Sequence, residues 1–439
     1  MFRPRARTIA FGLALWGVTS GPAPVAALDL PEALRQAAAA NPSLAARAAM
    51  MDAARRRVAP AGAWASPTVE LGVVNVPTTG RFDEDPMTMK MLGVSQRVPV
   101  FGSNRLSRRA AREAATGASA ALDLAVFEIF GLTWDAYADA VAARDLARLA
   151  EGHGGVMDRL VESARARYQS GSGRLEDILR AQAERARIAA DLTAFRAEEL
   201  SARARLDALR GVPPGGHADT LAALPGAQDS LALDAWLAAV SAAHPRLREM
   251  DAQANRYRFA ARAARRMTWP DLELKASYGW REALRTPGHA GALEQNNMVS
   301  ASIGFMLPIF AGARERSEGA EMDAMARVSE ADRRSAELEL RQQIASAHAA
   351  AVAARRTVRL FADTVTSIQH RAVEASWAAY RSGTTDLWRI LEATHALYAE
   401  EIALVRARQE LARAHARLVA LTGRGDLLGV MLPTTRADR

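Results

Sequence analysis

Met87, Met89 and Met91 alternate along one stretch, which projects three thioethers to one face of a strand, and thioethers are soft ligands suited to Cu(I). The competing reading is lipid-facing or packed methionine, so no resident metal site is assigned. The eight histidines are scattered, without an H-E-x-x-H or a G-x-S-x-G context, and fit surface or interface positions better than ligand sets. Acidic residues fall at helical surface spacing rather than as a paired site. The chain therefore reads as a non-enzyme with no catalytic residue and no cofactor. Zero cysteines excludes a disulfide framework, a thiolate metal centre and lipidation through cysteine.

The most informative residues lie in two polar turns. Tyr380, Arg381, Ser382, Gly383 and Thr384 repeat, 212 positions on, the pattern of Tyr168, Gln169, Ser170, Gly171 and Ser172, and Gly173 follows in the first copy. Each reads as a helical hairpin tip in which Gly171 or Gly383 supplies a positive-φ residue. Both copies also end alike, in Ala204–Gly211 and Ala416–Gly423, again 212 apart. A unit written twice places its two tips side by side at one end of the molecule.

Stepping outward, the composition is 49% apolar but only 6% aromatic, and much of the apolar share is alanine, which suits long, closely packed helices. Arg3, Arg5 and Arg7, an apolar stretch from Ile9 to Val18 and Val25-Ala26-Ala27 read as a signal peptide over residues 1–27. Removing three arginines takes the formal charge from +8 to +5. Basicity spread over helices without aromatic interleaving gives no nucleic-acid footprint. No uninterrupted apolar run of about 18 residues follows the leader, so a membrane crossing must use strands closed into a barrel.

The order of elements is predicted as follows. A helix covers Asp29 to Gly62 with a break at Asn41-Pro42, echoed by Asp234 to Met267 with His244-Pro245. Period-two alternation marks strands at Thr68–Val76 and Thr88–Val100, and again at Asp271–Trp280 and Met298–Ile309, one hairpin per copy. Helices follow over Ser103–Gln169 and Ala313–Arg381, on the order of 100 Å each. A kink or short break is expected at Gly152, Gly154 and Gly155. Returning helices run Arg174–Leu209 and Asp386–Leu421. The predicted organisation is a first repeat at 28–211, a linker at 212–230, a second repeat at 231–425 and a tail at 426–439.

Lengths then dictate architecture. A returning helix stacked end to end on the shorter helix of its copy matches one long helix, so each copy builds two antiparallel columns. Four strands per chain are fewer than the eight of the smallest transmembrane barrels, and three chains supply twelve. The fold class is mainly α with a β-barrel portion, in which duplicated helical hairpins form a trimeric α-barrel and Tyr278 with Trp280 can join an aromatic girdle.

These features, with Tyr-x-Ser-Gly at each tip and Ala-Arg-Leu-x-Ala-Leu-x-Gly at each repeat end, resemble the TolC family of outer-membrane efflux channels across about Leu28 to Gly425. The resemblance implies a homotrimer seated in outer-membrane lipid with a long periplasmic extension. It also implies tips that dock a periplasmic adaptor (membrane fusion protein), backed by an inner-membrane efflux pump. By position, Tyr168, Ser170, Gly171 and Gly173, with Tyr380, Arg381, Ser382, Gly383 and Thr384, match adaptor-facing tips. Asp177, Glu392 and Arg389 match gating or constriction positions. Thr385 stands where relatives carry a basic lock residue, so an ion pair closing this tip must use others, such as Arg174, Arg381 or Arg389. The segments Glu70–Pro77 and Pro86–Gln96 look most like the branch serving heavy-metal pumps of the resistance-nodulation-division type. Drug or other small-molecule efflux and type I secretion remain alternatives for such a channel, with a periplasmic coiled-coil scaffold behind them.

Overall fold

Asn41 and His244 each precede a proline, which pushes them into extended backbone and ends one helix while starting the next. In the computed structural model, which describes residues 27–215, 220–224, 232–240, 243–285, 291, 293–306, 311–424 and 426, this divides the first helical stretch into α1 (Leu30–Ala40), α2 (Pro42–Arg56) and α3 (Val58–Ala61). The predicted leader up to residue 26, parts of the linker, residues 307–310 of the last predicted strand and nearly all of the tail lie outside the described residues. Further along come α4 (Ser103–Gln169), α5 (Leu175–Leu209), α6 (Leu233–Leu237), α7 (Pro245–Arg266), α8 (Ala311–Leu360), α9 (Thr366–Arg381) and α10 (Leu387–Thr422).

Four columns result. The central column is α4, flanked by α2 and α5 on one side and by α7 and α10 on the other, with α8 and α9 beyond. Asn41 Nδ2 donates to the Leu209 carbonyl at 2.8 Å, which seats α2 on the end of α5. His244 Nε2 makes the same joint to the Leu421 carbonyl at 2.9 Å, seating α7 on α10. Helices of 36 and 22 residues thereby run beside the 67 of α4. Around these joints lies a core built on Phe130, Trp134, Tyr137, Trp236, Leu247 and Ile344, and a second core nearer the tips holds Met157, Leu160, Ile188 and Ile390.

Two expectations about the long helices are corrected. α4 runs unbroken through Gly152, Gly154 and Gly155. Glycine lowers helix propensity by only about 1 kcal/mol per residue, whereas His153 and Met157 between and beyond them are anchored in packing against α10. The irregularity falls instead in the other copy, as a π-helical segment at Phe361–Val365 between α8 and α9. Phe101 to Tyr168 spans 67 positions and Phe310 to Tyr380 spans 70, so the second copy carries three extra residues, of which a single π turn absorbs about one. A second correction concerns hydropathy. One described helix, α4, is long and apolar enough to cross a membrane by length and composition, and 33% of its most apolar 18-residue window is buried in the single chain.

The strands β1 (Thr68–Val74), β2 (Met89–Val98), β3 (Asp271–Trp280) and β4 (Met298–Met306) form one antiparallel sheet in that order. Register sorts its faces. Leu71, Leu92, Tyr278 and Val299 stand in neighbouring rows of one side with Val69, Leu274 and Ile303, while the other side carries Glu70, Arg97, Glu273, Lys275 and Ser302. The apolar side is widely exposed in the single chain, with Leu71 80% and Val299 75% accessible, which is a surface made for lipid. β1 and β4 each have one unpaired edge, the template on which another copy can add its strands.

Candidate functional site

At the far end of the columns, both hairpins turn by the same device. Ser172 N donates to the Arg167 carbonyl at 2.9 Å and Gly171 N to that of Tyr168 at 3.0 Å. In the second tip Thr384 N donates to Ala379 at 2.9 Å and Gly383 N to Tyr380 at 3.1 Å. These are paired six-to-one and five-to-two bonds that require a left-handed residue, and Gly171 and Gly383 take it with φ of +77° and +75°. Ser170 and Ser382 hydroxyls donate back to the carbonyls of Arg167 and Ala379, each at 2.9 Å. Ser172 and Thr384 hydroxyls reach those same carbonyls, so Ser172 belongs with the tip residues although sequence reading named only its counterpart Thr384. Gly173 is needed for another reason: a Cβ there would come within 3.0 Å of the Tyr168 backbone.

The two tyrosines are not equivalent, contrary to the sequence expectation. Tyr168 is 47% exposed, whereas Tyr380 is 7% exposed, packed in the tip-proximal core with the Arg167 guanidinium 4.6 Å above its ring. A second contact of this kind joins the hairpins, the Arg180 guanidinium 5.1 Å from the Trp388 ring. Between them opens a cleft of about 440 Å³, lined by Arg167, Arg174, Asp177, Arg180, Thr385 and Trp388 among others. No ion pair among the described residues spans it; Arg180 pairs with Glu176 on its own helix. Asp177 sits at the third position of α5 and accepts from Arg174 N at 3.4 Å. Arg389 and Glu392 are exposed on α10, Arg381 is exposed at the end of α9, and none of these three meets Asp177 within the chain. The 212-residue offset maps Asp177 onto Arg389 and Arg180 onto Glu392, exchanging the charges between copies.

Above the cleft a polar ladder ties α10 to its neighbours. His395 Nδ1 lies 2.6 Å from Glu184, Tyr398 donates to Asp191 at 3.2 Å, and Glu401 is shared by His153 at 2.6 Å and His370 at 3.3 Å. Burial pushes the Tyr398 phenol above its ordinary range, helped by Asp191. Among the described residues, no group of three or more His, Cys, Asp or Glu side chains is arranged to hold a metal ion.

At the opposite end, register places Met89 and Met91 on the polar face of the sheet, away from the lipid-facing side. Met91, Gly279 and Met298 are cross-strand neighbours on this face, and a Cβ on Gly279 would lie 2.6 Å from Met89 Sδ, so the Met89 thioether covers the glycine between the other two methionines' strands. Met87 precedes β2 and does not extend the stripe.

The chain matches the family described as Outer membrane efflux protein over residues 33–212 and 236–424. It is 28% identical over 305 residues to the outer membrane efflux protein BepC of Brucella suis biovar 1 (strain 1330), a match covering 68% of this chain and 64% of that protein, less than two thirds of its length. Among solved structures, the outer-membrane channel OprN has a TM-score of 0.73 at 20% identity, covering 90% of both chains. CusC gives 0.70 at 15% identity and 92% of both chains. The open state of the Neisseria gonorrhoeae MtrE outer membrane channel gives 0.72 at 18% identity, covering 90% of this chain and 89% of that one. The fold is theirs: a helical barrel column carrying a small antiparallel sheet.

Proposed function

The chain belongs to the outer membrane efflux protein family, and from that premise we propose that three copies close into the exit duct of a tripartite pump for metal cations. Its place is the outer membrane, with the helical columns extending into the periplasm, and it is not an enzyme. The observation that carries the duct is the sheet: four strands, one apolar face and two unpaired edges, set on helical columns. Four strands cannot close, and three copies give twelve with room for a passage. In this reading residues 28–211 and 231–425 are the two repeats, and outer-membrane lipid surrounds the sheet.

The tips then meet a periplasmic adaptor, behind which stands an inner-membrane pump. Tyr168, Ser170, Gly171 and Gly173, with Arg381, Ser382, Gly383 and Thr384, form the docking surface, while buried Tyr380 supports it from beneath. Asp177, Arg389 and Glu392 act across protomers, where exchanged charges can face one another. The metal cargo is supported by Met89, Met91 and Met298 on the polar face, a soft surface that a passing cation touches without being held.

Deleting the gene and challenging the strain with copper, silver, zinc, cobalt, nickel, cadmium and common antibiotics tests the cargo. Metal sensitivity restored by complementation is the expected result; sensitivity confined to antibiotics assigns the duct to drugs. Purification as a detergent-requiring trimer tests the duct itself, and a protein soluble as a monomer or dimer without detergent would count for a scaffold.

A further inference from the structure

Arg105, Arg108, Arg109 and Arg112 stand at i, i+3, i+4 and i+7 on α4, a single helix face beginning one turn below the sheet. All four are exposed, and none makes an ion pair among the described residues. On α7, Arg258, Arg262, Arg265 and Arg266 form a matching stripe in the last turns before β3. The two stripes meet: Arg109 and Arg262 both lie 5.8 Å from the Phe259 ring.

Every strand end on this side of the sheet connects to a helix, so this is its periplasmic end. Exposed aromatics mark the level. Phe101 and Trp269 stack at 5.0 Å, and Trp64 stands two residues from Gly62, against which the Arg108 stem packs. Exposed tryptophan at the end of a lipid-facing sheet belongs at the membrane interface, which puts the arginines at headgroup depth and just below.

Charge is concentrated here. Residues 49–66, 103–113, 258–269 and 313–324 hold thirteen arginines against six acids, a net of seven positive charges in a chain whose whole formal charge is +8. Only two of the 57 basic residues are lysine, so the collar offers guanidinium forks, which suit phosphate bidentately. On α7 Arg258 and Arg265 pair with Glu330 and Asp323, whereas the α4 stripe has no carboxylate partner among the described residues; that stripe calls for an anion, and the leaflet beside it supplies phosphodiesters.

We propose that this arginine collar binds the phosphate headgroups of anionic phospholipids in the periplasmic leaflet, fixing the height of the duct in the membrane. The proposal rests on the sheet being membrane-seated but not on the cargo. Lipopolysaccharide, also phosphorylated, belongs to the opposite leaflet and the other end of the strands.

The test is native mass spectrometry of the full-length, detergent-purified trimer incubated with equal phosphatidylglycerol and phosphatidylcholine, and separately with lipopolysaccharide. Wild-type protein is expected to retain phosphatidylglycerol preferentially. R105Q/R108Q/R109Q/R112Q should lose about fivefold in that preference per arginine removed, while R165Q/R187Q, far down the columns, should not. Trimer mass and circular dichroism establish that the quadruple variant folds, and if it does not, the single R105Q and R112Q variants carry the same per-arginine expectation. Equal retention of the two lipids, binding of lipopolysaccharide alone, or a quadruple variant with altered ion selectivity in planar bilayers but unchanged lipid retention would overturn the proposal, the last because the stripe would then line the duct. Loss of the trimer in wild-type protein would instead count against the channel reading.

Discussion

His244 Nε2 donates to the Leu421 carbonyl at 2.9 Å while its Nδ1 accepts from Arg246 N at 3.3 Å, so one neutral imidazole caps α7 and closes the last turn of α10. Asn41 does both tasks in the first repeat, accepting from Ser43 N at 2.9 Å and donating to the Leu209 carbonyl at 2.8 Å. Two different side chains thus make one joint, because each offers an acceptor toward its own helix and a donor toward the preceding one.

Replacement of His244 by asparagine should therefore be tolerated, whereas His244→Ala should cost about 1–2 kcal/mol in unfolding experiments. The joint also has a pH signature. Burial, with Arg246 and Arg248 nearby, lowers the imidazole below its ordinary value near 6.5, outweighing the Leu421 bond. The folded state then binds fewer protons than the unfolded one, so the contribution is complete above about pH 6.5 and declines as pH falls toward the lowered folded value. His415, lowered to about 4 by burial and Arg355, adds a loss of the same sign between 6.5 and 4. Unfolding followed from pH 7 to pH 4 should show a shallower slope in H244N and a shallower one still in H244N/H415Q.

Asp139 is buried in α4, where it accepts from Gln409 at 2.8 Å, from Arg413 at 2.8 and 3.0 Å and from Arg205 at 3.0 Å. One carboxylate thereby ties three helices together. Asp139→Ala leaves the buried Gln409 amide unpaired and Arg413 held only by Glu410 at 2.8 Å and Asp135 at 3.6 Å, and should destabilise by about 1–3 kcal/mol in urea titrations.

The tyrosines separate docking from folding. Tyr380→Ala removes a buried ring and should cost about 3–5 kcal/mol, while Tyr168→Ala should leave unfolding within about 0.5 kcal/mol of wild type. Co-purification with the adaptor should fall for Y168A. Equal destabilisation of both variants would mean that Tyr168 is packed as its counterpart is.

Element identity was legible in the sequence wherever a local rule controlled it. Alternation bounded β3 at Asp271 and Trp280, glycine marked both tips, and proline marked both column joints, since each depends on residues within one turn. What escaped was set by neighbours far along the chain. Gly152 to Gly155 stay helical because α10 packs against the intervening His153, and Tyr380 is buried because Arg167, 213 positions earlier, lies over it. The face chosen by Met89 and Met91 depends on a one-residue register decision shared by all four strands. The π-helical segment at Phe361–Val365 has no local signal in composition at all.

Gly171→Val and Gly383→Val each force a β-branched residue into a left-handed backbone, costing about 1–2 kcal/mol at a tip that has no contacts with which to offset it. The tip should open out of its six-to-one turn while the columns hold. Export is expected to fail with trimer yield unchanged, measured by resistance of the complemented strain and by size-exclusion chromatography. Unchanged export would remove these glycines from the docking surface.

Within one chain no ion pair among the described residues crosses the cleft where Thr385 stands, and the two hairpins are joined there by cations over aromatic rings, Arg167 on Tyr380 and Arg180 on Trp388. The contact of Arg180 with Trp388 is the more accessible of the two and is worth about 0.5–2 kcal/mol. A loss of about 1 kcal/mol changes a two-state equilibrium roughly fivefold, enough to register in single-channel records. W388A and R180Q should each raise the open probability of the reconstituted trimer by about that factor. R180K, which keeps a cation over the ring, should lie between them and wild type. If W388A instead conducts as wild type does, the hairpins are held together higher up, at the level where His395 meets Glu184 on α5.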